Sequence, residues 1–346
     1  MPGKRSAVIA PGAPEQSKTA TPGSDPALLN EALARLDAGA LTEEWVRETQ
    51  ARSPEIFEAT LGGMFDDLAR HDIHWHATRC FRYEDEPLRI REFDRLIQDH
   101  IDSCKRDGKW AGILAPPEIG KTTQVSLIRA SWMVCRNPNI EIKIVSGADD
   151  TAVKRVKALG QLFMFNRDFR RVWGHSIQPS KARVRGADPY NDHKVTVVRT
   201  TQSNEPTIEA YGVLSTAAGA RCHVLIFDDA IDEKSTLWSG AARRHVNEAI
   251  QNTWLNRLRK GHPDSQVIWI CTKWSDDDQS AIFMASKKWR FLVMAVADDF
   301  SHIDCRYMER GDEIGVRECP LPEPWTPEIL KDTAGSMTEA AYNRMY

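Results

Sequence analysis

The stretch Ala115-Pro-Pro-Glu-Ile-Gly-Lys-Thr-Thr123 constrains the fold more than any other part of the chain. A short apolar run, Trp110 to Leu114, precedes it and reads as a buried strand. An apolar-rich segment, Gln124 to Cys135, follows and is long enough for a helix. Strand, tight loop with Gly-Lys-Thr and helix together predict a phosphate-binding loop. Backbone N–H groups at a helix N-terminus point at phosphate oxygens, and the helix dipole favours their charge. Gly120 lets the backbone come close, Lys121 reaches the β- and γ-phosphates, and the Thr122 hydroxyl completes a Mg²⁺ shell.

The loop departs from the G-x-x-x-x-G-K-[ST] pattern. Ala115 stands where the first glycine is expected, and Pro116 and Pro117 remove two N–H donors. The cradle is therefore expected from the stretch Pro117, Glu118, Ile119, Gly120, Lys121, Thr122 and Thr123, with the amides of Ile119 to Thr122 as donors.

With 346 residues, 41% of them hydrophobic, the chain can bury a sizeable core in one large or two modest domains. A net charge of -3 announces no nucleic-acid partner, so any such surface must be a local patch. Seven cysteines form no C-x-x-C pair, which fits reduced thiols in a cytosolic protein. No apolar run approaches the length of a membrane span, and no secretory leader is visible.

Residues 1–26 are rich in Pro, Gly, Ser, Thr and Ala and read as a disordered lead. Helical periodicity at Leu28 to Leu41, Thr42 to Thr49 and Ser53 to Arg70 predicts a helical extension over 27–88. His71, His74 and His76 lie near Cys80, but no second cluster completes a metal site, so they read as polar loop residues. Arg89 to Asp107 reads as a helix that carries Gln98. Many phosphate-loop motors place a glutamine there to read the adenine edge; a solvated helix glutamine is the alternative.

Glu141 to Ser146 reads as a strand and Asp149 to Phe165 as a helix. Basic residues follow at Arg167, Arg170 and Arg171 and at Lys181, Arg183 and Arg185. The second trio shares one face if extended, which suits phosphates or a solvated rim. Lys194 to Thr201 and Thr207 to Leu214 alternate like a strand pair.

His223-Val-Leu-Ile-Phe-Asp-Asp229 is an apolar run ending in two carboxylates. In phosphate-loop enzymes the first carboxylate, here Asp228, holds Mg²⁺, and the next, here Asp229, polarises the attacking water. Ser239 to Lys260 reads as a helix, and Gln266 to Cys271 and Trp289 to Val296 as strands. Strands alternating with helices predict an α/β fold, a mostly parallel sheet covered by helices on both faces. Ligands of such sheets sit at the carboxyl ends of the strands, which places the loop, the aspartate pair and Thr272 on one edge.

The ordered set of motifs resembles the ATPase half of large terminase subunits, the DNA-packaging motors of tailed phages. The resemblance runs from about Arg89 onward and rests on APPEIGKTT, IVSGADDTAVKRV, GARCHVLIFDDAID and ICTKWSDDD. It implies a P-loop NTPase fold of RecA/ASCE type over 89–325, followed at 326–346 by the start of a linker to a nuclease domain. The chain is expected to stop before that domain and not to cleave DNA. The implied ligands are ATP and Mg²⁺, with Thr272 sensing the γ-phosphate and coupling hydrolysis to movement. The implied partners are double-stranded DNA, a portal protein, a small terminase subunit and further copies of the chain in a ring, in the host cytoplasm and without a membrane.

Two departures matter. Many terminases carry an arginine inside the loop, where this chain has Pro117 and Glu118, and Lys273 replaces the arginine of the coupling motif. An acidic Glu118 is expected to point away from the phosphates. A transition-state arginine must then come from elsewhere: Arg221 within the chain, or Arg155, Arg183 or Arg185 across a subunit interface. A helicase-like ATPase and a catalytically dead DNA-binding assembly module are the alternative readings.

Overall fold

The computed structural model describes residues 23–83, 85–174, 190–215, 220–232, 239–272, 274–275 and 278–346. Most of the expected disordered lead, and Lys181, Arg183, Arg185 and Lys273, lie outside these residues. The chain divides into two compact units, Met1–Phe65 and Asp66–Tyr346.

The first unit is helical. Asp25 caps α1 (Pro26–Asp37) by accepting from Ala27 N, and Pro26 suits the first helical position, where no N–H is needed. Thr42 caps α2 (Glu43–Arg52) in the same way, through Trp45 N. The indole of Trp45 donates to Glu31 and ties α2 to α1. On α3 (Pro54–His71), Phe57 and Phe65 stack at 5.4 Å.

In the second unit, α4 (Ile73–Cys80) corrects the reading of the histidine-rich segment as a loop. Asp72 caps this helix through His74 N and Trp75 N. His76 is fully buried, takes a hydrogen bond from Trp173 Nε1 at 3.0 Å and meets Ser131 Oγ at 3.1 Å. Burial pushes its pKa down to about 3, so the ring stays neutral and serves packing. Among the described residues no group of three or more His, Cys, Asp or Glu could hold a metal.

A short hairpin, β1 (Arg82–Tyr83) with β2 (Glu86–Pro87), leads into α5 (Glu92–Arg106). Six strands then form a parallel core: β3 (Trp110–Leu114), β4 (Ile142–Ser146), β7 (Ile208–Gly212), β8 (Val224–Asp228), β9 (Gln266–Cys271) and β10 (Trp289–Val296). Their spatial order is β10-β3-β9-β8-β4-β7. Antiparallel strands extend both edges: β5 (Tyr190–Asn191) and β6 (Lys194–Val195) beyond β7, and β11 (His302–Glu309) and β12 (Asp312–Pro320) beyond β10.

Most of the core strands read as near-continuous apolar runs because both faces are covered, although Lys143 interrupts β4 and Glu209 interrupts β7. Alternation still sorts their side chains. Ile113, Ile144, Ile226, Ile270 and Leu292 join Ile97 and Ile101 of α5 and Val156 and Leu159 of α7 (Asp149–Phe165) on one face. Leu114, Val145, Phe227, Trp269 and Phe291 join Val246, Ile250 and Phe283 on the other. Trp254, Trp269 and Trp289 are among the largest fully buried side chains.

The segment read as one helix from Ser239 to Lys260 is three pieces. An α-helix, Gly240–Glu248, passes into a π-helix, Ala249–Trp254, and then a 3-10 turn, Leu255–Arg257. The helix after the phosphate-loop motif is also composite, a π-helix over Thr123–Arg129 that continues as α6 (Ala130–Arg136). Among the described residues, no helix is long and apolar enough to cross a membrane.

Candidate functional site

Because β3, β8 and β9 are parallel, their carboxyl ends share one edge of the sheet. β9 lies between β3 and β8, and its Cys271 carbonyl accepts from Ala115 N at 3.3 Å. That spacing sets Ala115–Thr123 beside Thr272 and across from the aspartate pair.

Lys121 is only 7% exposed. Its ammonium donates to the Ala115 carbonyl and to Thr272 Oγ1, each at 3.3 Å, and lies 3.9 Å from Asp229 Oδ1. A buried ammonium needs such partners, since desolvation disfavours its charge. Three donors converge on the fully buried Asp228 carboxylate. Thr122 Oγ1 donates to Oδ1 at 2.9 Å, and Ser126 Oγ and Arg155 Nε donate to Oδ2 at 2.8 and 3.1 Å.

Asp229 adopts a left-handed backbone with φ 48, just past the end of β8 at Asp228. Its N–H still bonds Ile270 O, and its carbonyl accepts from Gly147 N, both at 2.9 Å. Partial burial raises its carboxyl pKa above the usual value, reinforced by the Asp228 charge; Lys121, Arg155 and the Thr272 N–H oppose the shift.

The loop has two more positive φ angles. Glu118, at φ 64, is strained, whereas Gly120 takes φ 90 readily. Glu118 is exposed, while Ile119 is fully buried and Pro117 is half-buried. Gly120 O accepts from Gln124 N at 3.0 Å, which starts the helix at the loop. Thr123 opens the π-helix and is half-buried.

Two other sequence candidates have partners outside this group. Gln98 is 1% exposed, and its amide donates to Gln124 O at 2.8 Å and to Gln124 Oε1 at 3.1 Å. Its amide nitrogen thus ties α5 to the π-helix, while its Oε1 is buried without a hydrogen-bond partner among the described residues. Arg221 precedes the amino end of β8 and donates to Asn256 O at 2.9 Å. The five residues of β8 alone span about 13 Å, so the structure does not bring Arg221 to the aspartate pair.

Arg155, a candidate for service across an interface, contacts Asp228 of its own chain. Ser126 and Arg91 were not singled out in the sequence. Ser126 falls four residues after Thr122, a spacing that repeats on one helix face. Arg91 contacts the loop only through the fold, by donating from Nη2 to Ile119 O at 2.8 Å.

Sheet order, loop and helix together define a P-loop NTPase-type α/β fold. Among solved structures, the fold is similar to that of the HK97 bacteriophage large terminase, with a TM-score of 0.51 and 13% sequence identity. The similarity covers 81% of this chain and 54% of that one, so the chain spans about half the length of the terminase. No protein-family model matches the sequence, and no curated protein matches it.

Proposed function

We propose that the chain is the ATP-hydrolysing motor of a viral DNA-packaging machine, translocating double-stranded DNA into a procapsid. The observation that carries this reading is the gathering of Lys121, Thr122, Asp228, Asp229 and Thr272 on one edge of a terminase-like sheet.

The residues fit a magnesium nucleotide. A buried carboxylate beside two hydroxyls offers the hard oxygen ligands that Mg²⁺ takes, with the Arg155 guanidinium at hand to balance charge. Thr122 and Asp228 would hold Mg²⁺, which when bound neutralises charge on the β- and γ-phosphate oxygens. The loop amides and the helix N-terminus bind the phosphates. Lys121 places its ammonium against the transferring group. Asp229, more exposed than Asp228, orients the attacking water and accepts its proton. Thr272 touches both Lys121 and Asp229, so a change at the phosphates reaches β9 and the segment after it. DNA, a portal protein, a small terminase subunit and a ring of copies are the partners in this reading, with the host cytoplasm as its location.

Displacement of a third strand from a DNA triplex tests translocation separately from hydrolysis. Protein assembled on a portal should release the third strand only with ATP. Hydrolysis without release would leave an ATPase that does not translocate.

A further inference from the structure

We propose that Arg91 is a positioning residue for the phosphate loop: its guanidinium holds the Ile119 carbonyl and thereby aims the Gly120 N–H at a bound nucleotide phosphate. The inference rests on the nucleotide-binding reading of the loop and goes beyond it.

Arg91 stands at the N-cap of α5. Asp94 locks it there, accepting from the Arg91 backbone N and Nε at 2.9 Å and from Nη2 at 3.0 Å. The guanidinium also lies 4.2 Å from the centroid of the Phe93 ring. Nη2 reaches the Ile119 carbonyl at 2.8 Å. In a trans peptide the C=O and N–H point in opposite directions. Fixing Ile119 O towards Arg91 therefore turns the Gly120 N–H away from Arg91.

Gly120 is shaped for this contact. Its φ of 90 is one that side chains rarely adopt, and a Cβ there would stand 2.8 Å from Arg91 Nη2. The chain has reason to control this amide from outside the loop. Pro116 and Pro117 supply no N–H, so few donors remain to cradle phosphate. A peptide free to flip would lose one of them, and the planar fork of arginine suits a carboxylate and a carbonyl at once. Arg91 acts on phosphate through Gly120 and not by touching it.

The test is equilibrium binding of Mg·ADP, with thermal melting as a check on folding. Arg91→Ala should fold and bind about 10- to 100-fold more weakly, the range for a hydrogen bond involving a charged group. Arg91→Lys, which keeps the charge without the fork and is the milder change if alanine impairs folding, should also bind more weakly. Low-millimolar guanidinium should restore binding to Arg91→Ala and leave Lys121→Ala unrestored. In NMR spectra at saturating Mg·ADP the Gly120 amide signal should shift less in Arg91→Lys than in wild type. Wild-type affinity in both Arg91 variants, with Lys121→Ala impaired, would overturn the role of Arg91 and leave the loop reading intact. Wild-type affinity in Lys121→Ala would instead overturn the loop reading itself.

Discussion

Asp229→Asn is expected to bind Mg·ATP much as wild type does and to hydrolyse it about 10²–10⁴-fold more slowly. The size follows from the proposed role: a carboxylate that would orient water and take its proton is replaced by an amide that cannot take it. Binding survives because Lys121 keeps its contacts with Ala115 O and Thr272, and Thr122 keeps Asp228. Folding survives because asparagine tolerates the left-handed backbone, φ 48, better than most residues. Asp228→Ala should differ. It strips Thr122, Ser126 and Arg155 of their shared acceptor, and Mg²⁺-dependent binding itself should fall. Single-turnover rates measured beside binding titrations separate the two. Equal losses of both quantities in both variants would contradict the division of roles.

Gly112→Val is expected to destabilise the fold severely. Gly112 lies in the middle of β3, and a Cβ there would stand 2.3–2.5 Å from three atoms of the Phe291 ring. Phe291 cannot yield easily. It is fully buried beside Trp289 at 5.8 Å, and Trp289 stacks on Phe283 at 4.2 Å. Overpacking typically costs about 1–3 kcal/mol and occasionally more, and the short approach to an immobile ring places this case at the upper end, a large share of a domain's roughly 5–15 kcal/mol. Loss of soluble protein or a sharply lowered urea midpoint is the expected result, and a wild-type unfolding curve would contradict it.

Much of the architecture was legible in the chain because the strongest signals were local. Trp110–Leu114, Gln266–Cys271 and Trp289–Val296 are apolar runs whose length and flanks fix them as strands. Asp149–Phe165 carries clear helical spacing. What was not legible depends on contacts distant in sequence. Lys143 breaks an apolar run and looks solvated, yet it is fully buried between Glu205 at 2.7 Å and Glu209 at 2.5 Å. His76 looks like a loop residue until Trp173 and Ser131 supply its partners. The π-helical turns over Thr123–Arg129 and Ala249–Trp254 keep helical composition and leave no pattern of their own.

The same division holds within the site. Lys121, Thr122, Asp228 and Asp229 could be found because each ends or follows a readable strand. The arginines could not be sorted by position along the chain. Arg221 is close to Asp228 in sequence but lies at the other end of β8. Arg155 is 73 residues away and touches Asp228, and Arg91 reaches the loop from 28 residues upstream.

Steady-state phosphate release from ATP, compared between wild type and Lys121→Ala at matched concentration, tests the proposed nucleotide-hydrolysing site most directly. Lys121 lies among polar groups at the carboxyl edge of the sheet, so its truncation should leave the melting curve close to wild type. Mg²⁺-dependent release by wild type, lost in a folded Lys121→Ala variant, is the predicted result. Equal release by both proteins would contradict the account.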